Sequence, residues 1–134
     1  MKSKYLLLVT IALLFFGINS VIAQKNWAVP EYTKGLKNPL AGNTAATTEG
    51  KLIYEQMCVL CHGITGKGNG EAGLSLEKKP ANFLAIKDLP NETDGEIFWK
   101  ITIGKPPMSS YDELLTEDQR WQLVNYIRVL NRKK

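Results

Sequence analysis

The 134-residue chain holds only two cysteines and one histidine, and all three stand together in Cys58-Val59-Leu60-Cys61-His62. A structural zinc site needs four nitrogen or sulfur ligands, usually drawn from two separated pairs, and this chain cannot supply them. Strict apolar–polar alternation is also missing, because Gly and Pro interrupt every candidate strand. That removes the βαβ setting of a thioredoxin-type dithiol, whose thiols sit at a helix N-terminus. The glycine-rich run Gly63-Ile64-Thr65-Gly66-Lys67-Gly68-Asn69-Gly70 lacks the Gly-Lys-Ser/Thr ending of a phosphate loop, and no strand precedes it. It reads as a tight loop with positive φ at several glycines. No basic stripe is present, and the formal net charge is only +4. A nucleic-acid partner is therefore not expected. The terminal Arg132-Lys133-Lys134 reads as a solvated helix end that complements the helix dipole.

Long apolar runs are absent except for one at the N-terminus. Lys2 and Lys4 precede the run Tyr5 to Ile18, and Val21-Ile22-Ala23 forms a small-residue exit. This is a secretory signal pattern over residues 1–23, with cleavage expected after Ala23. The run is short for a bilayer span, which needs about 20 apolar residues. The alternative is an uncleaved anchor over residues 5–23, the chain's one expected membrane contact apart from its partners. Either way the expected location is the periplasm. Cleavage removes two lysines and no acid, so the positive excess shrinks further.

Residues 24–47, with Pro30, Gly35, Pro39 and Gly42, read as an extended arm or linker. Trp27 and Tyr32 argue that part of it lies against the domain or a partner, since disordered linkers seldom carry large aromatics. The domain proper is expected over residues 48–134. Thr48 is placed to cap a first helix leading into the cysteines. The eleven residues Gly63–Gly73, five of them glycine, are expected to be irregular. Capping-box patterns at Thr93–Glu96 and Thr116–Gln119 open two further helices, the first ending at Gly104. The expected fold class is all-α, three or four short helices with long loops. Fewer than 90 residues then enclose a core, and domains of that size often lean on a cofactor.

Cys-x-x-Cys-His is the attachment pattern of a c-type haem. Two thiols add to the two vinyl groups on one porphyrin edge, and the next residue brings an imidazole under the iron. Export agrees with this chemistry, and a Cys58–Cys61 disulfide would close a loop too small to constrain the unfolded chain much. A low-spin carrier needs a second axial ligand. After Met1 leaves, Met57 and Met108 remain; Met57 adjoins the attachment site and reads as helix packing. Met108, in the proline-rich loop between the second and third helices, is the candidate distal ligand. Met/His ligation raises the potential relative to two nitrogen ligands and leaves no position for substrate.

From Gly50 to Leu130 the sequence resembles the class I monohaem cytochromes c, in their bacterial exported subgroup. Gly50 and Tyr54 before the first cysteine, Leu123 and Tyr126 in the last helix, Asp94-Gly95-Glu96-Ile97-Phe98 and the stretch Trp121 to Arg128 match the family pattern. Asn69 and Ser109 depart from it. The resemblance implies a small cytochrome c fold around one covalent haem c. Its thioethers would be held by Cys58 and Cys61, with His62 proximal and Met108 distal. It also implies that the Pro80 carbonyl accepts the Nδ1–H of His62, a contact that fixes the ring, and that Leu123 and Tyr126 cross the first helix at Gly50.

The implied function is one-electron transfer without catalysis of its own, either as a periplasmic carrier or as the haem subunit of a respiratory or dehydrogenase complex. Its partners would be a redox donor and acceptor, with a membrane respiratory complex among the candidates. Lys67, Lys78 and Lys105 are placed to steer an acidic partner. The alternative is a haem enzyme or gas-binding protein with an open distal site, against which the lack of a second histidine counts.

Overall fold

The computed structural model describes residues 27–84, 89 and 91–132, so the expected signal segment 1–23 lies outside the described residues. A 3₁₀ turn, Glu31–Gly35, precedes five helices: α1 Thr44–Met57, α2 Val59–His62, α3 Glu71–Ser75, α4 Asp94–Ile103 and α5 Glu117–Arg132. No strand occurs among the described residues, in agreement with the expected all-α class. The two helices beyond a count of three are single turns flanking the glycine-rich loop.

Helix α1 begins at Thr44 rather than at Thr48. The Asn43 side chain accepts from the Ala46 amide at 3.0 Å, while the Thr48 hydroxyl donates to the Thr44 carbonyl inside the helix. Asn is the stronger cap, and the following Ala45 and Ala46 propagate a helix well. Helices α4 and α5 start where their capping boxes place them. Thr93 and Glu96 exchange side-chain to backbone bonds in both directions, as do Thr116 and Gln119.

The core forms where α1 crosses α5. Gly50 sets the closeness of that crossing, and four residues on, Tyr54 meets Tyr126 edge-to-face at 5.2 Å between ring centroids. Trp121, Leu123, Val124, Ile127 and Leu130 of α5 and Ile97 and Ile101 of α4 complete it. Phe98 stacks on Trp121 at 4.0 Å.

Two expectations give way to packing. The segment expected as an extended arm, with part of it against the domain, is folded onto the domain from Trp27 onward; Trp27 rests on Trp99 as expected of it, whereas Tyr32 is 63% exposed. Thr33 is fully buried, Leu36 and Leu40 pack on the core, and Thr33 and Leu36 occupy the space a side chain at Gly95 would need. Asn38 bridges this segment to Asp94 of α4 and Asn125 of α5 at 3.0 and 2.8 Å. The glycine-rich stretch is not wholly irregular either, since Glu71–Ser75 turn once as α3. Gly73 lets that turn rest on the Cys61 carbonyl, where a Cβ would come within 2.3 Å. Ahead of it Gly63, Gly66 and Gly68 take positive φ, as a tight loop requires.

Candidate functional site

The Cys-x-x-Cys-His segment ends α1 and winds through the single turn α2. The Cys58 carbonyl accepts from the amides of Cys61 and His62 at 3.2 and 2.8 Å. Residues three apart on such a turn share a face, so both thiols present on one side. Both cysteines are free and half-buried. Burial, reinforced by the neighbouring Cys61, pushes the Cys58 thiol up to about 12.

His62 stacks on Phe83 with centroids 4.9 Å apart and planes 12° from parallel. Its Nδ1 lies 3.3 Å from the carbonyl oxygen of Ala81. The acceptor is thus Ala81, one residue beyond the Pro80 expected from the resemblance. The Pro80 carbonyl is turned instead toward Gly68, where a Cβ would come within 2.5 Å of it. Burial lowers the His62 pKa, partly opposed by the Ala81 bond, so the ring favours its neutral, ligating form.

Two adjoining clefts open over this segment, of about 140 and 330 Å³. The larger stands at the lower end of small-molecule and cofactor sites, roughly 300–1,000 Å³. Cys58, His62, Ala81, Met108, Tyr111 and Trp27 line both. The inner cleft is walled mainly by Tyr54, Phe83, Leu89, Ile97, Ile101, Leu123 and Ile127; among the described residues Glu92 is the one carboxylate and Lys100 the one ammonium lining it. The outer cleft adds Cys61, Met57 and Pro80, and a rim of Lys78, Lys79 and Lys105, with no carboxylate among the described residues.

The Met108 loop is held at both ends. Gly104 closes α4 with φ of 66° and leaves room for the Ser109 carbonyl, and the Met108 amide donates to the Lys105 carbonyl at 2.9 Å. The Ser110 hydroxyl donates to the Thr102 carbonyl at 2.7 Å, and the Tyr111 hydroxyl donates to the Met57 carbonyl at 3.1 Å. The loop therefore folds back over the end of α1, bringing Met108 to the cleft shared with His62. Met57 is not core packing: its side chain is 38% exposed and lines the outer cleft. Lys67 is exposed and lines neither cleft, whereas Lys78 and Lys105 line the outer one.

Sequence reasoning missed Ala81, Phe83, Leu89, Glu92, Lys100 and Tyr111 as cleft residues. Only Tyr111, three residues after Met108, carried a usable signal. The residues present fit a haem c: a largely apolar cleft, two thiols one helical turn apart, and an imidazole and a thioether on the same cavity. Among the described residues no three His, Cys, Asp or Glu side chains group as a metal site.

Comparison with known proteins agrees with this reading. The family described as cytochrome c oxidase, cbb3-type, subunit III, matches residues 45–127, more than half of the chain. The chain is 40% identical over 45 residues to the cbb3-type cytochrome c oxidase subunit FixP of Azorhizobium caulinodans, covering 34% of this chain and 15% of that protein. Its fold resembles a chain of the Kuenenia stuttgartiensis reducing HAO-like protein complex, with a TM-score of 0.63 and 31% identity over 72% of this chain and 48% of the other. It also resembles the KustC0563 c-type cytochrome, with a TM-score of 0.54 and 27% identity over 62% of this chain and 98% of the other.

Proposed function

Because the chain belongs to the cytochrome c family described as cytochrome c oxidase, cbb3-type, subunit III, and so carries covalent haem c for electron transfer, we propose that Cys58 and Cys61 hold that haem and that His62 and Met108 ligate its iron. In this reading the protein exchanges single electrons between redox partners in the periplasm. The supporting observation is that Cys58, His62 and Met108 line one cleft whose walls are largely apolar.

Each residue has a defined task. The two thiols would hold the haem as thioethers, each by adding its S–H across a vinyl group. The His62 ring is set by Ala81 on one side and by Phe83 on its face. Such outer contacts orient a ligand and tune its basicity. Tyr111 and Gly104 hold the Met108 loop, and the apolar walls exclude water. When bound, the haem supplies an iron that passes one electron by cycling between its ferrous and ferric states. With His62 and Met108 both holding the iron, no position would be left for substrate, so the protein would act as a carrier or a haem subunit and not as an enzyme in its own right.

The relatives fit redox partners in general: one is named as an oxidase subunit and another as part of a HAO-like complex. Lys78, Lys79 and Lys105 on the outer rim favour an acidic docking face.

Intact-mass measurement of the exported protein, with a pyridine haemochrome spectrum, tests the assignment. One covalent haem is expected, lost from the Cys58→Ser, Cys61→Ser double variant. Cleavage after Ala23 would leave Gln24 as the first residue. An unmodified mass in wild-type protein exported from cells that attach haem would refute the reading.

A further inference from the structure

The domain that matches the family begins at residue 45, yet the cleft does not close with residues of that domain alone. Trp27 lines both the inner and the outer cleft. Its ring meets Trp99 of α4 edge-on at 6.4 Å, and the Lys100 ammonium lies 5.9 Å from its centroid. That distance is within the range of a cation–π contact. Lys100 also pairs with Glu92 at 2.5 Å, and both side chains are largely withdrawn from water, 20% and 24% exposed. The segment carrying Trp27 is anchored by the buried Thr33, by the Gly95 seat and by the Asn38 bridges.

Among the described residues Glu92 is the one carboxylate and Lys100 the one ammonium lining a largely apolar inner cleft. Charges bordering such a space are weakly screened, so they act strongly on any change of charge within it. A redox centre that gains and loses one positive charge there must feel them, and burial and dielectric are established levers on haem potential.

We propose that the N-terminal segment is a working wall of the redox site: Trp27 is a positioning residue that seals the cleft and holds Lys100 at its edge, and the Lys100–Glu92 pair sets the reduction potential. The inference rests on the function proposed above and adds a determinant, Trp27, from outside the family domain. Lys100 disfavours the ferric state and Glu92 favours it. Trp27 keeps water away and the ammonium in place, so its removal also favours the ferric state.

The test is a spectroelectrochemical titration of full-length exported protein, with haem content and thermal melting measured alongside. Lys100→Gln and Trp27→Ala are expected to lower the potential, Glu92→Gln to raise it, and Trp27→Phe to stay near wild type. All should retain one covalent haem, because none replaces Cys58, Cys61, His62 or Met108. Unchanged potentials in Lys100→Gln and Trp27→Ala at full haem content would overturn the proposal. So would a lower melting temperature of Trp27→Ala without a shift in potential, which marks a purely structural role. Absence of haem from the wild type would refute the functional reading itself, a result distinct from either of these.

Discussion

A Cβ placed on Gly50 would stand 1.9 Å from the carbonyl oxygen of Gln122 and 3.1 Å from the amide nitrogen of Leu123. The obstruction is backbone of the facing helix, which cannot rotate out of the way as a flexible side chain could. The two helices meet at that spacing because one of them has no side chain there.

Gly50→Ala is therefore expected to push α1 and α5 apart and cost about 1–3 kcal/mol, the usual range for overpacking. Gly35 has no atom within 4 Å of its corresponding position. The control Gly35→Ala should stay within about 0.5 kcal/mol of wild type. Thermal or denaturant unfolding of the two variants measures the contrast; equal stabilities would contradict the tight crossing.

Met108→Ala is expected to keep the covalent haem while opening the distal side. Carbon monoxide should then bind the ferrous protein readily, the long-wavelength charge-transfer band of a methionine–ferric bond should vanish, and the potential should fall, since Met/His ligation holds it high. Met57→Ala serves as the comparison and should leave all three unchanged. Ready carbon monoxide binding by the wild type would return the open-site alternative.

Arg128 joins α5 to the segment that walls the cleft. Its Nε donates to Asp94 at 2.8 Å, Nη1 donates to the Leu89 carbonyl at 2.7 Å, and Nη2 donates to the Glu92 carbonyl. Arg128→Leu would strand those acceptors, and a hydrogen bond to a charged group contributes about 1.5–3 kcal/mol net, less where the stranded acceptor regains water. A loss of about 2–3 kcal/mol in unfolding free energy is expected on that basis. Asp94→Asn should lose less, because Arg128 keeps both carbonyls.

If Lys78, Lys79 and Lys105 guide an acidic partner, reversing all three to Glu should slow association at low salt and leave the haem spectrum unchanged. The difference should fade as ionic strength rises, because the screening length shrinks to about 8 Å at 0.15 M. Stopped-flow electron transfer at several salt concentrations reads this directly. A salt-independent rate in the wild type would remove the lysine rim from the docking step.

Much of the site was legible because its parts are local or chemically rare. The Cys-x-x-Cys-His turn, the capping boxes at Thr93 and Thr116, and the Gly50–Tyr54 pattern each fit within a few residues, and the structure places each in the expected setting. Failures arose where a choice between neighbours depended on distant packing. Asn43 outcompeted Thr48 as cap, and the Ala81 carbonyl faces His62 where Pro80 was expected. Lys100 carried no signal, since nothing in a helix pattern says that a tryptophan dozens of residues upstream will meet it. Trp27 itself stood out as an aromatic in need of a surface, and Trp99 and Lys100 supply that surface.

The seat of Thr33 and Leu36 against Gly95 bears on where this protein can be cut. A boundary drawn by similarity falls at residue 45, and a fragment made there would keep Cys58, Cys61, His62 and Met108 yet lose Trp27 and leave a bare notch on α4. It would also strip Asp94 and Asn125 of their shared Asn38 partner. Such a fragment is a different electrical object from the whole chain: it can look spectroscopically sound and still report a potential that the intact protein never has.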